Sequence, residues 1–413
     1  MKLNSLPARN ATLFLVALGI RLLFLAFYPR YDLLQNEAYM GDALDFHGRA
    51  LLYLGQEGEL TPALSQVAPV YPAFLAVLYA LFGQSFVMVR VVQCVLGALT
   101  CLVVRKAAHS LWGRPIGVLS GYGLALYYPH LQLSGYVGSE MLYTFVLCVS
   151  AFSLARIRKG NVLACGLSGL LLWMVAVAIR PVAIAFFPGL FAAFLYGLWL
   201  KKIPVSFLLK GSAVLVSACS LWVVSVFMTS GRTVPFVIQM GQLLYEGNSP
   251  HATGGHGGHF TWDDFKFPPG VGRVGKKDTD RRLFALAIEH MKEHPFHCVS
   301  LAAKKTWNMW RPYHADATTA AKWIHSLSYL PLCLGAVWTL FIYKGSLFSK
   351  VFLSAPLLSG AALHAVLIGQ IRYRYPLDPF LLMLAAPAGW TVLRRLFRLN
   401  GMEAEEEADR ATK

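Results

Sequence analysis

An all-α polytopic membrane protein, a bundle of about ten transmembrane helices with interfacial helices and large external loops, is what this sequence predicts. Three observations lead there. Of 413 residues, 56% are hydrophobic and 14% charged, with a mean hydropathy of +0.52. Soluble domains carry about a quarter charged residues, so an ordinary soluble enzyme is excluded. Apolar runs long enough to cross a bilayer, roughly 20 residues each, recur along the chain. The charge is basic, 37 Lys and Arg against 21 Asp and Glu for a net +16, and the cations gather in alternate connections between the apolar runs. That alternation is a topology signal. No basic patch interleaved with aromatics stands out, so a nucleic-acid partner is not expected.

Hydrophobic runs and turn signals predict spans over 11–28, 87–108, 115–133, 141–157, 162–179, 181–200, 206–228, 322–343, 350–369 and 376–396. The first follows Lys2 and Arg9. It lacks a small-residue cleavage site before Tyr28-Pro29-Arg30, which favours an uncleaved anchor over a signal peptide. Arg105, Lys106 and Arg114, then Arg156, Arg158 and Lys159, then Lys201 and Lys202, then Lys344 and Lys350, then Arg394, Arg395 and Arg398 all fall on one side with Lys2 and Arg9. By the positive-inside rule that side, and both termini, face the cytoplasm. The chain thus divides into an N-terminal transmembrane module (1–228) carrying a first external loop (29–86), a large external segment (229–321), a C-terminal transmembrane module (322–398) and an acidic cytoplasmic tail (399–413).

Within the first loop, the apolar stretch after Pro69-Val-Tyr-Pro72 is too short to span and reads as an interfacial helix. The external segment opens with a Gly-rich loop bearing His251, His256 and His259. A helix follows over 279–294, where Leu283, Phe284, Ala287, Ile288 and Met291 make one apolar face and Pro295 stops it. Trp307, Trp310 and Tyr313 precede the next span as an aromatic belt. Six cysteines (Cys94, Cys101, Cys148, Cys165, Cys219, Cys333) lie in apolar runs and Cys298 in a polar segment, so neither a disulfide framework nor a CxxC metal pair is encoded.

Several motifs remain: Asp42-Ala-x-x-Phe46-His47-x-x-Ala50, Pro69-x-Tyr71-Pro72-x-Phe74-Leu75, Phe82-Gly83, Arg90, Ser139-Glu140, Arg180-Pro181, Gly247-Asn248-x-x-x-Ala252-x-Gly254 and Arg372-Tyr-Arg-Tyr-Pro376. Their order and topology resemble the membrane glycosyltransferases of the GT-C superfamily, in the bacterial branch related to protein O-mannosyltransferases and the lipid A aminoarabinose transferase. The similarity extends to about residue 396. It implies a GT-C-type bundle in a bacterial inner membrane. It further implies inverting transfer of a sugar, hexosyl or pentosyl, from a polyprenyl-phosphate donor to a lipid, glycan or protein acceptor on the periplasmic face. No cofactor is firmly implied.

The chemistry needs a carboxylate to take the acceptor's proton and cations to stabilise the leaving phosphate. The resemblance puts the general base at Asp42, which shares a helical face with Phe46 and Ala50; Asp45 and Glu37 are the fallbacks. Glu140 matches the second acid. Arg372 and Arg374, with Arg90, are expected to bind the donor phosphate, and Asp45, His47, Tyr71, Asn248 and His259 to line the substrate site. Arg21 lies mid-span, where a charge in hydrocarbon costs about 2.5–3.5 kcal/mol, and should face the bundle interior. Three histidines on a glycine-rich loop are a weak divalent-metal signal, since no carboxylate or Cys nearby completes the set. Asp278-Thr-Asp280 reads as helix capping rather than a nucleotide-sugar DxD. A transporter or flippase of lipid-linked sugars is a rival reading; it lacks an internal repeat. An O-antigen ligase or polymerase using diphosphate-linked donors is a second, and a noncatalytic envelope subunit a third.

Overall fold

The computed structural model describes residues 6–27, 37–56, 68–156, 162–186, 240–254, 277–314 and 317–397, with isolated helical positions between 191 and 220. Among these residues the regular structure is helical, with no strand. In chain order the helices are α1 (Leu6–Phe27), α2 (Glu37–Tyr53), α3 (Val70–Phe82), α4 (Phe86–Trp112), α5 (Arg114–Leu126), α6 (Tyr128–Gln132), α7 (Glu140–Ala155) and α8 (Val162–Ile179). A 3₁₀ turn (Pro181–Phe186) follows. Then come α9 (Met240–Asn248), α10 (Lys277–Glu293), α11 (Pro295–Trp310), α12 (Thr319–Phe341), α13 (Leu347–Val366), α14 (Ile371–Arg374) and α15 (Asp378–Leu396). The apolar stretch Asn10–Phe27 of α1, together with α4, α12 and α13, is long and apolar enough to cross a membrane; α3, α7 and the Ala164–Ile179 part of α8 are shorter apolar helices. The expected spans at 181–200 and 206–228 lie outside the described residues, apart from the 3₁₀ turn and the isolated positions.

α4 is the central post of the N-terminal module, touching α1, α3, α5 and α7. Ser85 caps its first turn by accepting the Met88 amide at 3.3 Å. Gly113, at φ +103°, turns the chain into α5, a conformation that suits a residue without Cβ. The expected span 115–133 is broken at Tyr127, whose backbone is extended (φ −71°, ψ 111°), and Pro129 opens α6. The break lets the Tyr127 hydroxyl donate to Asp378 Oδ2 at 2.7 Å, joining the two membrane modules through α15. α15 packs along α5, α12 and α13.

Arg21 is fully buried between α1, α4 and α6, as its mid-span position requires. Its Nη1 donates to Ala17 O (3.0 Å) and its Nη2 to His130 Nδ1 (2.7 Å) and Cys101 Sγ (3.4 Å). Gly97 makes the room: a Cβ there would stand 2.5 Å from Arg21 Nε. The 279–294 helix appears as α10, ended by Pro295, which begins α11. Leu283 and Ala287 are its buried contacts and pack on Leu244 and Tyr245 of α9, whereas Phe284 is 43% exposed.

Candidate active site

The ends of α3, α4, α7, α8 and α14 meet on one side of the bundle around Glu140. Ser139-Glu140 starts α7, where a carboxylate suits the positive end of the helix. Arg180 follows the last residue of α8, and Pro181 prevents the helix from continuing. That break brings Arg180 Nη1 to 2.6 Å from Glu140 Oε1 and to 3.0 Å from Ser139 Oγ. The Glu140 side chain is 4% exposed and the Arg180 side chain 18%, so the pair is sheltered yet reachable from one side.

Tyr136, in the turn before α7, hydrogen-bonds Glu140 and feels the charges of Arg372 and Arg180. Burial first, then the Glu140 charge, holds its phenol well above the ordinary range, so it stays a hydrogen-bond donor. Gly138 keeps the two groups together: a Cβ there would strike the Tyr136 ring and lie 2.7 Å from Glu140 Oε2. Beneath them, Tyr71 donates to Gln93 Oε1 (3.2 Å), and Gln93 Nε2 donates to the Tyr136 carbonyl (2.8 Å). Tyr71 also lies close enough to Glu140 to feel its charge.

The first loop reaches this cluster through aromatics. Ala43, Phe46 and Ala50 form the buried face of α2, and Phe46 meets Tyr71 edge-on with centroids 4.8 Å apart. Asp42 occupies the α2 position one turn before Phe46; its side chain, like that of Glu37, lies outside the described residues. Asp45 is half-buried and acts electrostatically on Arg49. His47 sits apart in an aromatic box, with Nδ1 3.0 Å from the Tyr79 hydroxyl and Phe86 alongside, and burial lowers its pKa. Arg90 is half-buried on α4, three positions before Gln93.

Of the two arginines on α14, Arg372 belongs to the Glu140 cluster and Arg374 does not. Arg372 is half-buried, its Cζ 5.3 Å from the Tyr373 ring centroid, and its charge acts on Tyr136. Arg374 is 0% exposed. Its Nε donates to Asp378 Oδ1 (3.0 Å), its Nη1 to the carbonyls of Arg311 (2.8 Å) and Met309 (3.4 Å), and its Cζ lies 3.6 Å over the Tyr329 ring.

Asn248 is likewise engaged in packing: Nδ2 donates to Leu244 O (2.9 Å) and Val366 O (2.8 Å), and Oδ1 accepts from Lys305 Nζ (2.8 Å). His251 is exposed, and His256 and His259 lie outside the described residues, as does the Asp278 side chain. Asp280 Oδ1 accepts the Gln242 amide at 3.0 Å, so this acid ties α10 to α9. Sequence reasoning missed Tyr136, Gly138, Gln93 and Lys305. The Tyr136-x-Gly138-Ser-Glu140 spacing was a local signal for the first two; the others depend on packing alone.

No protein-family model and no curated protein matches the chain. Among solved structures, the archaeal oligosaccharyltransferase AglB from Archaeoglobus fulgidus, in complex with an inhibitory peptide and a dolichol-phosphate, superposes with a TM-score of 0.54 over 96% of this chain and 52% of that one, at 14% identity. The chain shares the polytopic helical fold of this oligosaccharyltransferase. ArnT from Cupriavidus metallidurans bound to undecaprenyl phosphate matches more loosely, at a TM-score of 0.43 and 14% identity over 92% of this chain and 77% of its own. The chain spans about half the length of AglB. In this chain Glu140, Arg180, Tyr136 and Arg372 lie where helix ends converge.

Proposed function

We propose that this protein transfers a glycosyl group from a polyprenyl-phosphate donor to an acceptor hydroxyl, hexose or pentose being the sugar, on the periplasmic face of a bacterial inner membrane. Both termini are cytoplasmic in this reading, and the product is an envelope glycan, glycolipid or modified protein. The observation that carries it is the Glu140–Arg180 pair with Tyr136 and Arg372 beside it, at helix ends of a GT-C bundle and facing the first loop.

In the reaction, Asp42 takes the proton of the acceptor hydroxyl as its oxygen attacks the anomeric carbon from the side opposite the phosphate. The bond between that carbon and the phosphate oxygen breaks, both its electrons stay with oxygen, and the polyprenyl phosphate leaves with the configuration inverted. Arg372, with Arg180 acting on the same Tyr136 phenol and Arg90 from α4, supplies the charge that stabilises the leaving group. Glu140 orients Arg180 and Tyr136. The Tyr136 phenol donates its single proton to Glu140 and so offers ligand hydroxyls an acceptor oxygen. Arg374 supports the segment from beneath instead of binding phosphate, because its guanidinium is already held by Asp378 and two carbonyls.

Mass spectrometry of lipid extracts from native-host cells carrying wild type or Asp42→Asn at equal expression tests the proposal. A polyprenyl-phosphate sugar that accumulates only with the variant supports it and names the donor. Matching lipid profiles overturn Asp42 as the base. If Glu140→Gln also leaves the profile unchanged, they overturn the donor class as well.

A further inference from the structure

Lys305 occupies a position where the pattern of α11 calls for an apolar residue. Leu301, Lys305 and Met309, four apart, form the buried stripe of the helix at 1%, 0% and 0% exposure, while the adjacent Lys304 is exposed. Among the described residues no carboxylate pairs with this ammonium. It donates instead to Asn248 Oδ1 (2.8 Å) and Val366 O (2.9 Å). A buried charge without a counter-charge is unfavourable, and burial pulls this one down to about 8. A leucine or methionine would continue the stripe at no such cost, so the ammonium has to be read through what it holds.

What it holds is the junction of three elements. Val366 O is a last-turn carbonyl of α13 that the helix itself does not pair, at the negative end of that helix, where a cation is favoured. The same oxygen also accepts from Asn248 Nδ2, so the ends of α9 and α13 and the middle of α11 share one hydrogen-bonded knot. The backbones around it touch. A Cβ on Gly247 would collide with Leu367 O and stand 3.3 Å from Lys305 Nζ; one on Gly369 would collide with the Lys305 carbonyl. Gly369 is three residues before Arg372. A second tie, from Asn308 Nδ2 to Gly254 O at 2.9 Å, holds the chain beyond α9 against the next turn of α11.

We infer that Lys305 is a positioning residue: it latches α9 and α11 onto the end of α13 and so fixes the turn that carries Arg372 against Tyr136 and Glu140. Its effect on phosphate binding rests on the glycosyltransferase reading; the latch itself does not.

The test uses the purified full chain as wild type, Lys305→Met and Lys305→Gln, with two measurements: hydrogen exchange over 244–250 and 366–375, and binding of undecaprenyl phosphate. Loss of the ammonium's bonds in Lys305→Met should speed exchange in both windows and weaken undecaprenyl phosphate binding, each by about tenfold, with exchange in α4 unchanged. Lys305→Gln, whose amide can still donate, should restore most of both. Wild-type exchange in Lys305→Met overturns the latch, and faster exchange with unchanged affinity overturns its link to Arg372. If wild type itself binds no undecaprenyl phosphate, the donor reading fails while the exchange windows still decide the latch. Should Lys305→Met not fold, Asn248→Ala removes only the α9 side of the knot and must speed exchange in the same two windows, or the inference falls.

Discussion

Two arginine–carboxylate pairs in this molecule have the same chemistry and opposite surroundings. Arg374 and Asp378 are both sealed in the protein. The pair is held by packing partners: two carbonyls, the Tyr127 hydroxyl and the face of Tyr329. Arg180 and Glu140 are held by a shorter contact, but the Arg180 side chain keeps 18% exposure and their neighbours are Tyr136 and Arg372. The first pair joins α14, α15 and the end of α11 into one body. The second leaves part of its arginine accessible. An ion pair is therefore informative about function through what else its members touch.

That contrast can be broken most forcefully at Asp378. Asp378→Ala leaves the Arg374 charge buried with no carboxylate beside it and should lower stability by about 3–5 kcal/mol, seen as loss of folded protein or a large fall in unfolding temperature in detergent. A variant as stable as wild type would show that the two pairs do not differ in kind. Glu140→Gln sharpens the contrast from the other side. It should fold and unfold much like wild type while transfer to acceptor falls by about a hundredfold, because Arg180 and Tyr136 lose the charge that orients them. Equal activity would remove Glu140 from the site.

The smallest effect concerns Glu246 on α9, whose carboxyl burial lifts to about 7 against the opposing Gln242 hydrogen bond at 2.8 Å. Its folded pKa exceeds its unfolded one, so the folded state holds the proton more tightly, and this contribution to stability is lost as pH rises from about 4.5 through 7. Glu246→Gln should raise the unfolding temperature by a few degrees at pH 8 and leave it unchanged near pH 4. An equal shift at both pH values would mean that packing, not ionisation, is responsible.

Features set by one helix or one junction were legible in the sequence. The interior position of Arg21 followed from the cost of charge in hydrocarbon, the buried face at Phe46 and Ala50 from helical spacing, and the α8 stop from Arg180-Pro181. Pro295 ended α10 for the same local reason. The break at Tyr127 was signalled only by Pro129 within the 115–133 run, and the partner that uses it, Asp378, is distant in the chain. Lys304 and Lys305 are indistinguishable by composition; only packing makes one solvated and the other a knot. Arg372 and Arg374, two apart on a single turn, similarly part company according to what α11 and α15 present to them. The motifs named Glu140, Arg180 and Arg372 singly, whereas the contacts that bring them together come from residues far apart in sequence.

The Tyr127–Asp378 hydrogen bond spans 251 residues. At a synthesis rate of about 5–20 residues per second, the tyrosine waits about ten to fifty seconds for its partner to be made. During that interval the turn from 127 to 139, which sets Tyr136 and Glu140, lacks the helix that anchors it, and the chain has an acid and a cation for its site but no fixed geometry between them. The Glu140 cluster thus takes its support from a helix made long after it, and its geometry reports that α15 has docked.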